Sequence, residues 1–217
     1  MKRSIKLLLP FLVLCSLLIS TVSADGAKSA RTELERFTYE LKNFQADFSQ
    51  TVISQDGRIQ DRTEGQVWLQ TPDKLRWVYA GEFPELIVAD GHNIWIYDES
   101  LDQVTVKPQS EDAADSPLML LADVSRLDEQ FKVTEVGNME EMFLLELKSL
   151  DPETEFERIL LGVDAMGIRM MAMEDAFGQR TEIKFTNTFK NQAVDSQLFT
   201  FNPPEGVDLV GRAVIPE

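Results

Sequence analysis

All three Trp (Trp68, Trp77, Trp95) and two of the three Tyr lie in one stretch, Gln66 to Asp98. Its apolar runs are short and are separated by Thr71-Pro72-Asp73, by Gly81 to Pro84 and by Asp90-Gly91. Runs of this length, rich in Trp, Val, Ile and Tyr and stopped by Pro or Gly, predict antiparallel strands joined by tight turns. Strand side chains alternate, so Leu75, Trp77 and Tyr79 share one face and Arg76, Val78 and Ala80 the other. A face carrying such bulky groups must be covered, and the rest of the chain is to be searched for the cover.

The N-terminus sets the compartment. Lys2, Arg3 and Lys6 precede the apolar run Leu7 to Ile19, and Val22-Ser23-Ala24 ends it with small residues, the pattern of a secretory signal peptide. Residues 1–24 are therefore expected to be cleaved, leaving a single domain over 25–217. The one cysteine, Cys15, follows Leu14 rather than the small residue that a lipid-bearing cysteine needs, so lipidation is not expected. Without a cysteine in an oxidising space, the exported domain depends on its core rather than on disulfides. Removing the signal leaves 18 basic against 37 acidic side chains, a formal charge of −19 against −16 for the whole chain. Phosphate backbones and anionic lipid headgroups repel such a surface, which excludes nucleic acid as a partner class.

Ser29 to Asn43 reads as an amphipathic helix, with Ser29 as cap and Leu34, Phe37, Leu41 and Phe44 on one stripe. From Phe44 the period changes to two: Phe44, Ala46, Phe48 and Val52 oppose Gln45, Asp47, Ser49 and Thr51. A turn at Gln55 to Arg58 returns the chain as Ile59 to Gln70, and Asp102 to Lys107 follows the aromatic stretch. Pro108 to Asp115 is a polar loop, and Ser116-Pro117 opens a short helix, Leu118-Met119-Leu120-Leu121-Ala122. That helix is apolar nearly all round and has to cover something greasy. Five further strands are predicted at Phe131 to Gly137, Met142 to Ser149, Phe156 to Asp164, Ile168 to Asp175 and Thr181 to Phe189, then one helical turn at Asp195 to Phe199 and a tail strand within Val207 to Ile215.

Ten or eleven strands with two or three helices make a mostly β, α+β chain whose wide antiparallel sheet curls, its dry face turned to the concave side. The helices plug or lid its apolar concavity. Catalysis has little to work with. Beyond the signal there is one His, His92, in a turn and no Cys, which removes Cys-His pairs, His-rich zinc sites and CxxC chemistry. No nucleophile elbow, P-loop or dinucleotide fingerprint occurs, so the chain is not expected to be an enzyme, and no metal or cofactor is expected. Met119, Met142, Met166, Met170, Met171 and Met173 add polarisable surface suited to ligands of variable shape, or to an irregular core.

Several segments together resemble a known family. Phe44 to Gln50 (F-x-x-x-F-x-Q), Gly65 to Trp77 (G-x-V-W-L-x-x-P-x-x-L-R-W), Val88 to Asp98, Ser116 to Leu121 and Phe199 to Val207 (F-T-F-N-P-P-E-G-V) are similar to the periplasmic outer-membrane lipoprotein carriers, LolA, in order along the chain. The resemblance implies an incomplete antiparallel β-barrel closed by helices, and a monomeric periplasmic chaperone holding the acyl chains of triacylated lipoproteins. It implies three partners: that cargo, an inner-membrane lipoprotein-releasing ABC transporter and an outer-membrane receptor lipoprotein. Two other readings stay open, a lipoprotein-sensing adaptor of the same fold and a carrier of another amphiphilic lipid. The expected lipid-binding cavity comprises Phe48, Leu75, Trp77, Tyr79, Val88, Ile94 and Ile96; the expected lid comprises Leu34, Phe37, Leu41, Leu118, Met119, Leu120 and Leu121. Where the resemblance implies an Arg before the proline, holding the lid shut through backbone carbonyls, Thr71 stands here, with one hydroxyl in place of a guanidinium fork. Lys74 and Arg76 are the nearby cations.

Overall fold

The computed structural model describes residues 29–109, 127–151, 154 and 156–214. The signal segment, Cys15 and the apolar run Leu118 to Leu121 lie outside them. In chain order the elements are helix α1 (Ala30–Thr38), strands β1 (Asn43–Ile53), β2 (Ile59–Gln70), β3 (Lys74–Ala80), β4 (Glu85–Asp90), β5 (Asn93–Asp98) and β6 (Gln103–Pro108), and a single turn, α2 (Leu127–Gln130). They continue with β7 (Phe131–Met139), β8 (Met142–Ser149), β9 (Phe156–Asp164), β10 (Gly167–Asp175), β11 (Arg180–Lys190), a 3-10 turn (Ser196–Phe199) and β12 (Asp208–Gly211).

The strands form one sheet in the order β12-β6-β5-β4-β3-β2-β1-β11-β10-β9-β8-β7. Twelve are present against the ten or eleven expected, because the tail does add β12. Every pairing is antiparallel except the last, in which β12 lies parallel to β6. The two edge strands, β7 and β12, are not paired with each other, so the barrel is incomplete.

The curl is measurable from the side chains. Three strand spacings separate β3 from β11, about 14 Å in a flat sheet, yet the rings of Trp77 and Phe185 are 6.2 Å apart. One buried cluster accordingly draws on Phe44, Phe48, Leu75 and Trp77 from one half and Leu145, Leu161, Met171 and Ile183 from the other. Across the sheet the inner face runs in register rows: Val67, Trp77, Ile87, Ile96 and Thr105 form one, and Gly65, Tyr79, Glu85, Asp98 and Gln103 the next.

Helix α1 is shorter than expected. Ser29 caps it, its hydroxyl accepting from the Thr32 amide at 3.2 Å. It stops at Thr38 because Tyr39 leaves the helical region, at φ −58° and ψ 121°, and Glu40 takes a positive φ of 52°. Leu41 therefore lies on the link to β1 rather than on the helical stripe. The helix packs on β8, β9 and β10, burying Leu34 and Phe37, while Arg31 makes a two-pronged ion pair with Asp128 at 2.6 and 2.9 Å.

The C-terminal segment covers the opposite face. Arg76 Nη1 donates to the Leu198 carbonyl at 3.2 Å, Phe201 packs against Trp95 and Tyr97, and the Asn93 side chain exchanges two hydrogen bonds with the Val214 backbone. Val88, Val104 and Val106 are buried on this face.

Gly65 makes the curl possible. It stands between Phe48 on β1 and Tyr79 on β3, and a Cβ there would collide with the Val78 carbonyl and come within 2.6 Å of Phe48 Cζ. The Phe48 ring instead passes over the glycine to meet Trp77 at 4.2 Å. A Gly65→Ala variant is expected to lose about 1–3 kcal/mol of stability in urea denaturation, the usual range for forced overpacking.

Candidate functional site

The expected cavity residues divide cleanly by strand parity. Phe48, Leu75, Trp77, Tyr79, Ile94 and Ile96 do share the inner face, on β1, β3 and β5. Val88 does not: it is paired with Arg76 while Ile87 is paired with Trp77, so it belongs to the outer face beneath the C-terminal segment. The sequence could not separate them, because Leu86, Ile87, Val88 and Ala89 are apolar without alternation. Of the methionines, Met171 and Met173 point inward with the cluster. Met142 and Met170 flank Gly162 on the other face, and Met166 is an exposed turn residue.

Aromatic rings form a chain through the inner face. Phe37 of α1 meets Phe44 edge-on at 5.5 Å, Phe44 meets Phe185 at 6.3 Å, and Phe185 reaches Trp77, which packs on Phe48. Tyr79 closes the series edge-on to Phe48 at 5.3 Å. Trp77 and Leu75 are fully buried, so in this state the face is occupied by its own side chains.

Helix α1 does not lie over the predicted cavity residues. Its packing partners are β8 to β10, and it reaches the β1 and β3 side only through the aromatic chain. What holds it is a set of side chains on the link to β1. The Lys190 ammonium donates to the carbonyls of Tyr39 at 2.8 Å and Arg36 at 3.5 Å and stands 5.8 Å from the centre of the Phe37 ring. Asn191 Nδ2 donates to the Glu40 carbonyl, and its Oδ1 accepts from the Lys42 amide at 2.7 Å. The Thr71 hydroxyl donates to the Leu41 carbonyl at 2.8 Å. A cation on the last carbonyls of a helix is favoured by their partial negative charge. Thr71 thus binds a carbonyl of the link between α1 and β1, and Lys190 brings a positive charge to the same link from β11. Arg76 is committed to the outer face and takes no part.

The sheet's two ends differ. The end bearing α1 also carries Thr71, Gly91 and Gln109, whose side chain ties the β4–β5 turn to the β2–β3 turn by accepting from the Gly91 amide and donating to the Asp73 carbonyl. The other end is a polar rim. Tyr79, Glu85, Asp98 and Gln103 stand side by side on the inner face there. The Tyr79 hydroxyl donates to Gln50 Oε1 at 3.2 Å, and burial, with Glu85 nearby, pushes its pKa up to about 12. Burial, then repulsion from Asp98, raises Glu85 above the usual carboxylate value. The chain leaves the α1 end at Gln109 and is next described at Leu127, at the rim end beside the opposite sheet edge.

Two expectations follow. Lys190→Met should speed amide hydrogen exchange over 36–43 and cost roughly 1 kcal/mol, the order expected for a cation at a helix C-terminus. Because the folded state raises the Glu85 pKa, its ionisation opposes folding: the penalty is absent below the unfolded carboxylate value and grows as pH rises towards the folded one. Glu85→Gln should therefore raise Tm at pH 7, with the gain shrinking towards pH 4; an equal gain at both pH values would contradict this.

Comparison with known proteins places this architecture. The family model described as "Outer membrane lipoprotein carrier protein LolA" matches residues 39–202. A protein named outer-membrane lipoprotein carrier protein from Xanthomonas campestris is 38% identical over 207 residues, covering 94% of this chain and 98% of that one. One of the same name from Dechloromonas aromatica is 34% identical over 198 residues, covering 91% and 94%. A solved structure of an uncharacterised conserved protein from Thermus thermophilus shares the fold, with a TM-score of 0.52 at 14% identity over 84% of this chain and 97% of that one. An open, curled sheet with an apolar inner face and a helix packed on its β8 to β10 half, and sequence likeness along nearly the whole chain, lead to one conclusion: the chain belongs to the LolA family of outer membrane lipoprotein carrier proteins.

Proposed function

We propose that this chain is a periplasmic lipoprotein carrier that holds the acyl chains of its cargo against the inner face of the sheet. On this reading residues 1–24 direct export and are removed, and 25–217 form the carrier. It accepts triacylated lipoproteins from an inner-membrane ABC transporter and yields them to an outer-membrane receptor lipoprotein. The observation that carries the proposal is the continuous apolar inner face, from Ile94 and Leu75 through Trp77 and Phe48 to Phe185 and Ile183, on an open sheet with a side-chain-tethered helix.

The energetics favour a carrier that closes on itself. Each buried methylene contributes about 0.8 kcal/mol, so three long chains fully buried would pass the ceiling near 20 kcal/mol for non-covalent binding. The inner face is instead filled by the protein's own side chains, and cargo must push aside those around the packed Trp77–Phe48 pair and part the bonds that Lys190, Asn191 and Thr71 make to the α1 link. That cost weakens net affinity and allows onward transfer. The apolar run Leu118 to Leu121, outside the described residues, is taken on this reading as the second cover.

Native mass spectrometry of the protein taken from a periplasmic extract tests this reading. A bound triacylated protein is expected; a free phospholipid would replace the cargo class, and a protein that neither carries nor accepts lipoprotein would end the proposal. Ile96→Lys, on the half-buried middle of the inner face, should fold yet lose cargo binding by about tenfold or more, since a charge there must be desolvated with the chains.

A further inference from the structure

We propose that Thr63 and Trp77, with Gln50 and Tyr79 beside them, form a subsite for the neutral carbonyl that joins an acyl chain to its head, an ester or an amide. This rests on the carrier reading and deepens it. Two side-chain polar atoms are buried without any hydrogen-bond partner among the described residues, Thr63 Oγ1 and Trp77 Nε1. Both face inward at the rim side of the aromatic cluster. Thr63 is directly opposite Gln50 on the neighbouring strand, Gln50 accepts from Tyr79, and the Trp77 and Tyr79 rings are 6.0 Å apart. The indole N–H stands near enough to the Tyr79 oxygen to favour its ionised form, but outside hydrogen-bond geometry.

Such orphaned groups are costly in a folded core, and nearly all buried polar atoms are satisfied. Here both can donate, while Tyr79 has already spent its proton on Gln50. The missing partner is therefore an acceptor. Packing holds the indole in place, tilted by 33° on Phe48 and edge-on to Phe185, so its N–H is aimed before any ligand arrives. The acceptor is uncharged, because Glu85 and Asp98 line the same rim and repel an anion. An acyl chain lying along Ile87, Ile96 and Leu75 with its head towards the rim brings one such group to this place, its carbonyl.

The test compares palmitoyl lysophosphatidylcholine with its hexadecyl ether analogue, which differ at that carbonyl, by titration into the full exported chain. The wild type should bind the ester roughly tenfold more tightly, the worth of one or two added hydrogen bonds. Thr63→Val keeps shape and removes one donor. It should shrink the preference and leave the ether's affinity unchanged, and it should raise the Tm of the unliganded protein by removing a buried unpaired group. Equal binding of ester and ether by the wild type would overturn the subsite while leaving the carrier reading intact. Failure of both amphiphiles to bind would take the carrier reading away and the subsite with it. An undiminished ester preference in Thr63→Val overturns the role of Thr63.

Discussion

The contact between Phe48 and Trp77 across Gly65 is what the rest of the molecule is built around. An aromatic ring on β1 reaches a ring on β3 only where the intervening strand offers no side chain, and once they meet the sheet has to bend. From that bend follow the approach of Trp77 to Phe185, the union of the two halves into one core, and an inner face apolar from one side to the other. The helix is an addition to this core rather than its organiser. It rests on β8 to β10 and joins the aromatic chain through Phe37 alone.

Two kinds of interaction divide the work. Apolar burial sets how strongly the inner face wants to be covered, and it is indifferent to what covers it. Directional bonds set what covers it in the empty protein: Lys190, Asn191 and Thr71 grip carbonyls and amides at the start of β1. These bonds are worth little singly and are partly exposed.

Much of this was legible in the sequence. Strand bounds follow from alternation and from Pro and Gly punctuation, and β2, β8 and β9 occupy the very residues expected. Phe48, Leu75, Trp77 and Tyr79 fall together because their strands have one wet and one dry face. The reading fails where both faces are dry. Val88 looks like its neighbours until the C-terminal segment is seen lying over it, and nothing local to β4 announces that cover. Helix α1 was read too long because Leu41 continues the helical stripe; tertiary bonds from Lys190 and Asn191, some 150 residues away, capture the carbonyls that a longer helix would have used. Long-range pairing of this kind leaves no periodic trace. The orphaned hydroxyl of Thr63 is equally invisible, since a threonine in a strand is unremarkable until its neighbours are known.

The open edge β7 has a further consequence. Among the described residues β7 is a nine-residue strand with an unpaired side, and such a side is a template on which another chain could polymerise. The register of β7 against β8 breaks between Glu135 and Gly137, where a positive φ of 109° turns the backbone. Glu135 beside that break accepts from the Arg31 amide of α1, so the strand that could recruit a neighbour is kinked and partly engaged by the chain's own helix. Incomplete closure thus comes with a guard against fibre formation.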